Sequence, residues 1–493
     1  MTERNKTSVP NLDRRHFLGC GTAAGLVGGV THAGIAAPNQ TSGPTAAFTD
    51  RPNYLSAAKE AARWIRSAEI TTDGGGTWRP DPDHPERTVT ISLPNGFYSG
   101  SAGIILFFLE LADATGDRSY GDDAKRGGDF LVRSWPATLA SKASVAGFQL
   151  SFYTGLAGTA FSLAALWQAT GIEAYLDAAR NATQALIKAA RPVGSGIEWM
   201  EACGMTGNSG ILLCLLDLAD MLDDPAIRSV AVKAGNRVVE RAEPDARGGV
   251  RWLGMPPALL GEAENSYWPN FQLGTSGVAF ALARLHAATG EAHFLEAAEQ
   301  GALHLQRIAT VRGDAALIHY REPDLTDLHY LGYCNGPAGT ARLFQQLYKT
   351  TGKSEYALWT ERLARGVMAS GIPERETPGF WNVVCQCCGS AGVVDFFLGM
   401  WATTGRKDYL AFAQRVADQM LSRRSDLDGK GSRWYQAYTR VKPWEVSAET
   451  GYMIGGAGIG ASLLHFHLAE AGRYRLIRLP DNPFNTTSGR RPI

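Results

Sequence analysis

The chain has no surplus of either charge: 48 Lys and Arg stand against 48 Asp and Glu in 493 residues. A protein that grips phosphates needs an excess of basic side chains on one face, so nucleic acid is set aside as a partner. Long apolar runs are missing too. No stretch reaches the roughly 20 consecutive apolar residues that cross a bilayer, so no stable membrane insertion is expected. Cysteine is sparse, with seven in the chain, and Cys20 lies in the N-terminal leader.

That leader reads as an address. Asp13-Arg14-Arg15-His16-Phe17-Leu18, a Gly- and Ala-rich apolar stretch up to Val30 and small residues around Ala36 and Ala37 have the layout of a twin-arginine export signal. The expected division is residues 1–37 as signal, 38–52 as linker, 53–478 as the folded domain and 479–493 as a polar tail. The Tat export machinery would be the first partner, and the periplasm or the cell exterior the destination. Because that route carries folded proteins, a metal can be loaded before export. Six cysteines remain in the mature chain: Cys203, Cys214, Cys334, Cys385, Cys387 and Cys388. In an oxidising compartment an even number invites disulfides, so a thiolate metal site has to compete with that reading.

Glycine supplies the organising pattern. A Gly-x-x-Gly turn opening an apolar run recurs seven times: Gly100–Gly103, Gly155–Gly158, Gly207–Gly210, Gly274–Gly277, Gly336–Gly339, Gly389–Gly392 and Gly455–Gly458. The first glycines lie 55, 52, 67, 62, 53 and 66 residues apart, room for two helices per unit. Between the turns run amphipathic stretches starting at Tyr54, Tyr120, Tyr175, Ile227, Phe294, Tyr356 and Tyr409, with apolar residues at i, i+3 and i+4. Five units share a Thr-Gly joint, at Gly116, Gly171, Gly290, Gly352 and Gly405, where a left-handed glycine would end the first helix of the pair. Seven hairpins whose first helices are apolar nearly all round are best accommodated as an all-α closed α/α toroid. An open superhelix would need polar capping repeats at its ends.

Placed in register, the turns become a coordinate system. The two residues before the first Gly are Tyr98-Ser99, Tyr153-Thr154, Met205-Thr206, Gln272-Leu273, Cys334-Asn335, Cys387-Cys388 and Met453-Ile454. The fifth and sixth units therefore bring Cys334, Cys387 and Cys388 to the mouth of the ring. Three protein ligands with a fourth position open is the pattern of a catalytic zinc, and thiolates suit Zn²⁺.

Tyr333-Cys334-Asn335-Gly336-Pro337-Ala338-Gly339 and Cys387-Cys388-Gly389-Ser390-Ala391-Gly392 resemble the fifth- and sixth-turn motifs of the lanthionine synthetase C-like proteins, in their Cys-Cys-Gly zinc variant. The resemblance spans about Tyr54 to Arg473. It implies a seven-hairpin toroid, zinc on Cys334, Cys387 and Cys388, a peptide substrate with a Cys thiol, and addition of that thiol to a dehydrated residue to close a thioether. The chain departs from the family at the acid-base positions. Leu273 stands where a His is expected before the fourth turn, only Glu201 and Cys203 are offered near the third, and His329 and Tyr330 stand where an Arg precedes the first zinc Cys. Glu264 and His329 are the substitutes nearest to hand as catalytic groups.

Two other readings compete. A carbohydrate-active α/α toroid of the glycosidase or epimerase kind would use carboxylates and Trp side chains at the mouth, with Trp78, Trp252 and Trp268 as candidates. A non-catalytic zinc- or peptide-binding ring is the other. Among the remaining candidates, Cys214, His319, His465 and His467 read as structural.

Overall fold

The computed structural model describes residues 53–85, 94–140, 147–260, 263–323 and 326–485. The export signal, the linker and the last eight residues of the tail lie outside the described residues.

Each Gly turn opens a helix of the inner layer: α2 (Ser101–Thr115), α4 (Leu156–Thr170), α6 (Asn208–Met221), α8 (Thr275–Thr289), α10 (Pro337–Thr351), α12 (Ser390–Thr404) and α14 (Gly456–Glu470). The outer layer is α3 (Arg118–Ala140), α5 (Glu173–Lys188), α7 (Pro225–Glu240), α9 (Ala292–Ile308), α11 (Ser354–Ala369), α13 (Lys407–Ser422) and α1 (Tyr54–Ser67). Every inner helix packs on the outer helix that follows it, except α14, whose partner is α1 from the start of the domain. Inner helices touch in sequence from α2 to α14, and α14 packs back on α2. The ring is closed, and its seam is where the two ends of the domain meet.

The apolar circumference of the inner helices follows from this position. Phe107 and Phe108 of α2 and Phe396 and Phe397 of α12 are all fully buried although they point in different directions. At the joints the expected left-handed glycines appear, with φ of 72° at Gly116 and 70° at Gly405. The preceding Thr returns its hydroxyl to the carbonyl four residues back, as Thr404 does to Met400 (2.7 Å). Outer helices are linked round the ring by tyrosines: Tyr175 donates to Asp129, Tyr356 to Glu299, and Tyr54 to Asp418 across the seam (2.5 Å).

The glycines of the turns answer a packing demand. The backbone of each approach loop lies against the first turn of the helix it leads into. A Cβ on Gly392 would stand 2.2 Å from the carbonyl oxygen of Gln386, and one on Gly339 would stand 1.9 Å from that of Tyr333. No side chain fits there.

Two features were not anticipated. Among the described residues, five short antiparallel hairpins occupy connections from outer to inner helices, the last pairing Gln436–Ala437 with Val446–Ser447. The segment read as a polar tail is, in its described part, packed structure. Asp481 and Phe484 are buried, Phe484 against Phe396 and Gly399 of α12. Arg284 of α8 donates to the Pro480 carbonyl and Lys349 of α10 to that of Pro483, so the segment crosses from one inner helix to another. The sequence hid this because the anchoring groups are mostly backbone carbonyls, which composition does not register.

Candidate metal centre and adjoining cleft

The seven turns meet in a ladder of main-chain hydrogen bonds between equivalent positions. The amide of Met205 donates to the carbonyl of Gln272 (3.1 Å), Gln272 to Cys334 (2.6 Å), Cys334 to Cys387 (2.9 Å), Cys387 to Met453 (2.9 Å), Met453 to Tyr98 (2.9 Å) and Tyr98 to Tyr153 (2.7 Å). Such a ladder fixes neighbouring turns in register, as strands are fixed in a sheet, and so sets which side chains converge.

What converges at the fifth and sixth turns is sulfur. The Sγ atoms of Cys334 and Cys388 are 3.2 Å apart and those of Cys387 and Cys388 3.7 Å. All three lie within 4.8 Å of one another, and all three residues are buried. A disulfide needs about 2.05 Å, and among the described residues no disulfide forms. Thiolates arranged tetrahedrally at about 2.3 Å from a zinc ion stand about 3.8 Å apart. The 3.7 Å pair matches that spacing, and the 3.2 Å pair reaches it by opening about half an ångström. The donor set therefore fits a zinc ion.

The sixth turn is braced from outside. The Gln436 Oε1 accepts from the amides of Val384 (2.8 Å) and Cys385 (2.9 Å), while its Nε2 donates to the Ile454 carbonyl of the seventh turn. Gln386, between Cys385 and Cys387, donates to Asp395 (2.6 Å) and to the Gly458 carbonyl (3.2 Å). The thiols are thereby carried by a loop tied to three elements.

Beside Cys388 lies a small pocket of about 10 Å³, partly open to solvent, whose wall includes Tyr98, Cys385, Gln436, Tyr438, Glu449 and Ile454. It spans the sixth, seventh and first turns. Glu449 is 3% exposed, and burial together with the neighbouring Asp81 and Cys385 holds its carboxyl well above the usual range, favouring the protonated form. On the other side of Cys334, Gln272 and Asn335 are buried with both side-chain amide atoms unbonded within the protein.

The two proposed acid-base residues are elsewhere. Glu264 is exposed in the connection before α8. His329 stacks with His319, ring centroids 4.2 Å apart, and its Nδ1 is 3.8 Å from Asp327. Neither is in the wall of the cleft. Proximity to a Gly turn in sequence is not enough, because the ladder holds the second residue before each glycine and fixes only its immediate neighbours. Leu273 is half-buried, flanked by the buried Gln272. Trp78, Trp252 and Trp268 are buried core, with the Trp252 indole donating to the Val238 carbonyl (2.8 Å), so they present no rim platform. Cys214 donates to the Ala157 carbonyl inside the core, and burial pushes the Cys203 thiol up to about 11.

Glu449 was missed although the register could have reached it. It stands six residues before Gly455, where a Cβ on the glycine would meet its carbonyl at 2.0 Å. The equivalent positions in the fifth and sixth turns are Tyr330 and Val383, and only Glu201 of the third turn shares a carboxyl at this count, so an acid there is the signal.

A closed seven-hairpin α/α toroid with a thiol cluster at its mouth is the class these observations define. The sequence profile described as Lanthionine synthetase C-like protein matches residues 91–473, and the chain belongs to that family. No curated protein matches it in sequence. Among solved structures it is similar to nisin cyclase, at 15% identity over 84% of this chain and 93% of that one, with a TM-score of 0.56. It is more distantly similar to an α-1,6-mannanase of Salegentibacter sp. HEL1_6 (13% identity, 85% and 99% covered, TM-score 0.43). A cellobiose 2-epimerase from Bacillus thermoamylovorans matches at 10% identity, with 66% and 89% covered and a TM-score of 0.43. At these identities the likeness is one of fold. Among the described residues no helix is long and apolar enough to cross a membrane.

Proposed function

We propose that this protein binds one zinc ion through Cys334, Cys387 and Cys388 and activates the Cys thiol of a peptide for thioether formation, after export by the twin-arginine route. The observation that carries the reading is the convergence of three buried thiols from two neighbouring turns beside a partly open cleft. Bound there, zinc supplies a Lewis acid that lowers the pKa of an incoming thiol so that a thiolate exists near neutral pH. The protein's own part is positioning. The ladder sets the spacing of the sulfurs, and Gln436 holds the sixth turn against the seventh. Gln272 and Asn335 offer unbonded amide groups next to Cys334, suited to a peptide main chain. The three tryptophans that a sugar-binding mouth would use are buried and give no stacking surface.

The test has two stages. Purified protein should contain one zinc per chain, and Cys334→Ala should lose it. A zinc-free protein with a quantified disulfide would refute the metal site. A dehydrated, Cys-containing peptide incubated with the zinc protein should then lose its free thiol at constant mass. Retention of the thiol would refute the cyclisation while leaving zinc binding in place.

A further inference from the structure

The acid that completes thiol addition has no counterpart at the family position, which is Leu273 here. The cleft supplies another. Glu449 is carried by the approach loop of the seventh turn and lines the cleft that Cys388 and Cys385 also line. Its Oε2 is buried and makes no hydrogen bond within the protein. A buried acid with an unbonded oxygen is costly unless something else uses it. The groups around it are Asp81 from the segment after the first hairpin and Cys385 from the sixth turn, neither of them cationic. Among the described residues no basic partner draws the proton away, so the group is set up to donate.

We infer that Glu449 is the catalytic acid of the site, delivering a proton to the α-carbon of a dehydroalanine or dehydrobutyrine residue held in the cleft. This rests on the thioether reading given above. The thiolate sulfur forms a bond to the β-carbon, and the π pair of the C=C bond moves onto the α-carbon and its carbonyl as an enolate. The α-carbon takes the Glu449 proton. The resulting carboxylate recovers the proton that the substrate thiol gave up on ionising, so thiol plus alkene becomes thioether with no net proton change. A group fixed on one wall delivers from one face, so the product has a single configuration at the new α-centre.

Two variants test this. Glu449→Gln keeps the shape and removes the acid, and should slow ring closure by roughly 100-fold or more, the lower end of general acid catalysis. It should still bind one zinc per chain. Product that does form should be a mixture of α-configurations, because water then supplies the proton from either face. Glu449→Ala should recover rate with added formate. A readout independent of turnover is thermal stability. A carboxyl whose folded pKa is raised contributes stability that is whole below the unfolded pKa and is lost as pH rises. Glu449→Gln should therefore melt above the wild type at pH 8, the gain vanishing at pH 4. Wild-type rate and a single configuration in Glu449→Gln would overturn the role of Glu449 while the thioether reading stands. A wild-type protein that closes no ring would overturn both.

Discussion

His465 of α14 is the bond across the seam, and its removal can be worked through. Its Nδ1 is 2.9 Å from Asp395 of α12 and its Nε2 2.8 Å from Glu110 of α2, with the ring 2% exposed. Glu110 also receives the amide of Ile477 from the crossing C-terminal segment. Burial alone would lower the pKa of this imidazole. The two carboxylates outweigh that and raise it to about 10, so the ring is an imidazolium holding three inner helices together. A rise from 6.5 to about 10 corresponds to about 5 kcal/mol at most, and breaking buried ion pairs by removing one partner costs about 3–5 kcal/mol. For a ring of roughly 400 ordered residues, about 4 kcal/mol lowers Tm by about 4–5 °C.

The sign fixes the pH window. A histidine whose folded pKa is raised contributes stability that is complete below its unfolded value near 6.5 and is lost as pH rises through about 10. His465→Gln should thus melt about 4–5 °C below the wild type at pH 6.5, with the gap closing toward pH 10. Differential scanning calorimetry of both proteins from pH 6 to pH 10 reads this directly. Equal melting at pH 6.5, or a gap that does not narrow with pH, would refute the imidazolium clasp.

Other substitutions probe the turn and the segment behind it. Gly392→Ala places a Cβ from the first turn of α12 2.2 Å from the Gln386 carbonyl, just before the Cys pair, and should cost about 1–3 kcal/mol with loss of zinc stoichiometry by metal analysis. Gln436→Leu leaves the amides of Val384 and Cys385 without their acceptor, at about 1–3 kcal/mol each, and should weaken zinc retention against a chelator without touching a thiol. Asp481→Ala strips the acceptor from the hydroxyls of Tyr153 and Tyr333, the residue before Cys334. It should lower the urea midpoint by an amount worth about 1–3 kcal/mol.

The ring and its thiols were legible because both obey a register. Gly turns recur at a spacing that only paired helices fill, and one residue type at equivalent positions forces a cluster whatever the loops do. Glu264 and His329 failed to reach the cleft because they were chosen by distance along the chain, away from the position that the ladder holds. Glu449 was missed for a different reason, although its register position was readable. It acts from a seventh turn that carries no thiol, and its meaning comes from burial and from Asp81, which lies far away in sequence. Asp481 and Phe484 looked like tail because a segment that binds through main-chain carbonyls and one acid has no periodicity to betray it.

The placement of the cleft ties chemistry to closure. Its walls come from the sixth, seventh and first turns, so the chain assembles it only when α14 meets α2 and α1 covers α14. The thiols belong to the fifth and sixth turns, which are contiguous in sequence and pair by the Cys334 to Cys387 hydrogen bond. Metal binding and the acid wall can therefore be separated by loosening the seam. In His465→Gln the ladder bonds between the turns remain, while α14, α12 and α2, the helices behind the cleft wall, lose the clasp between them. Ligand that needs the closed wall stabilises the closed form in proportion to its binding, by RT ln(1 + [L]/Kd). A dehydrated peptide should accordingly restore more of the lost Tm in His465→Gln than zinc does. Recovery by zinc alone would place the thiol cluster, and not the seam, in control of the cleft.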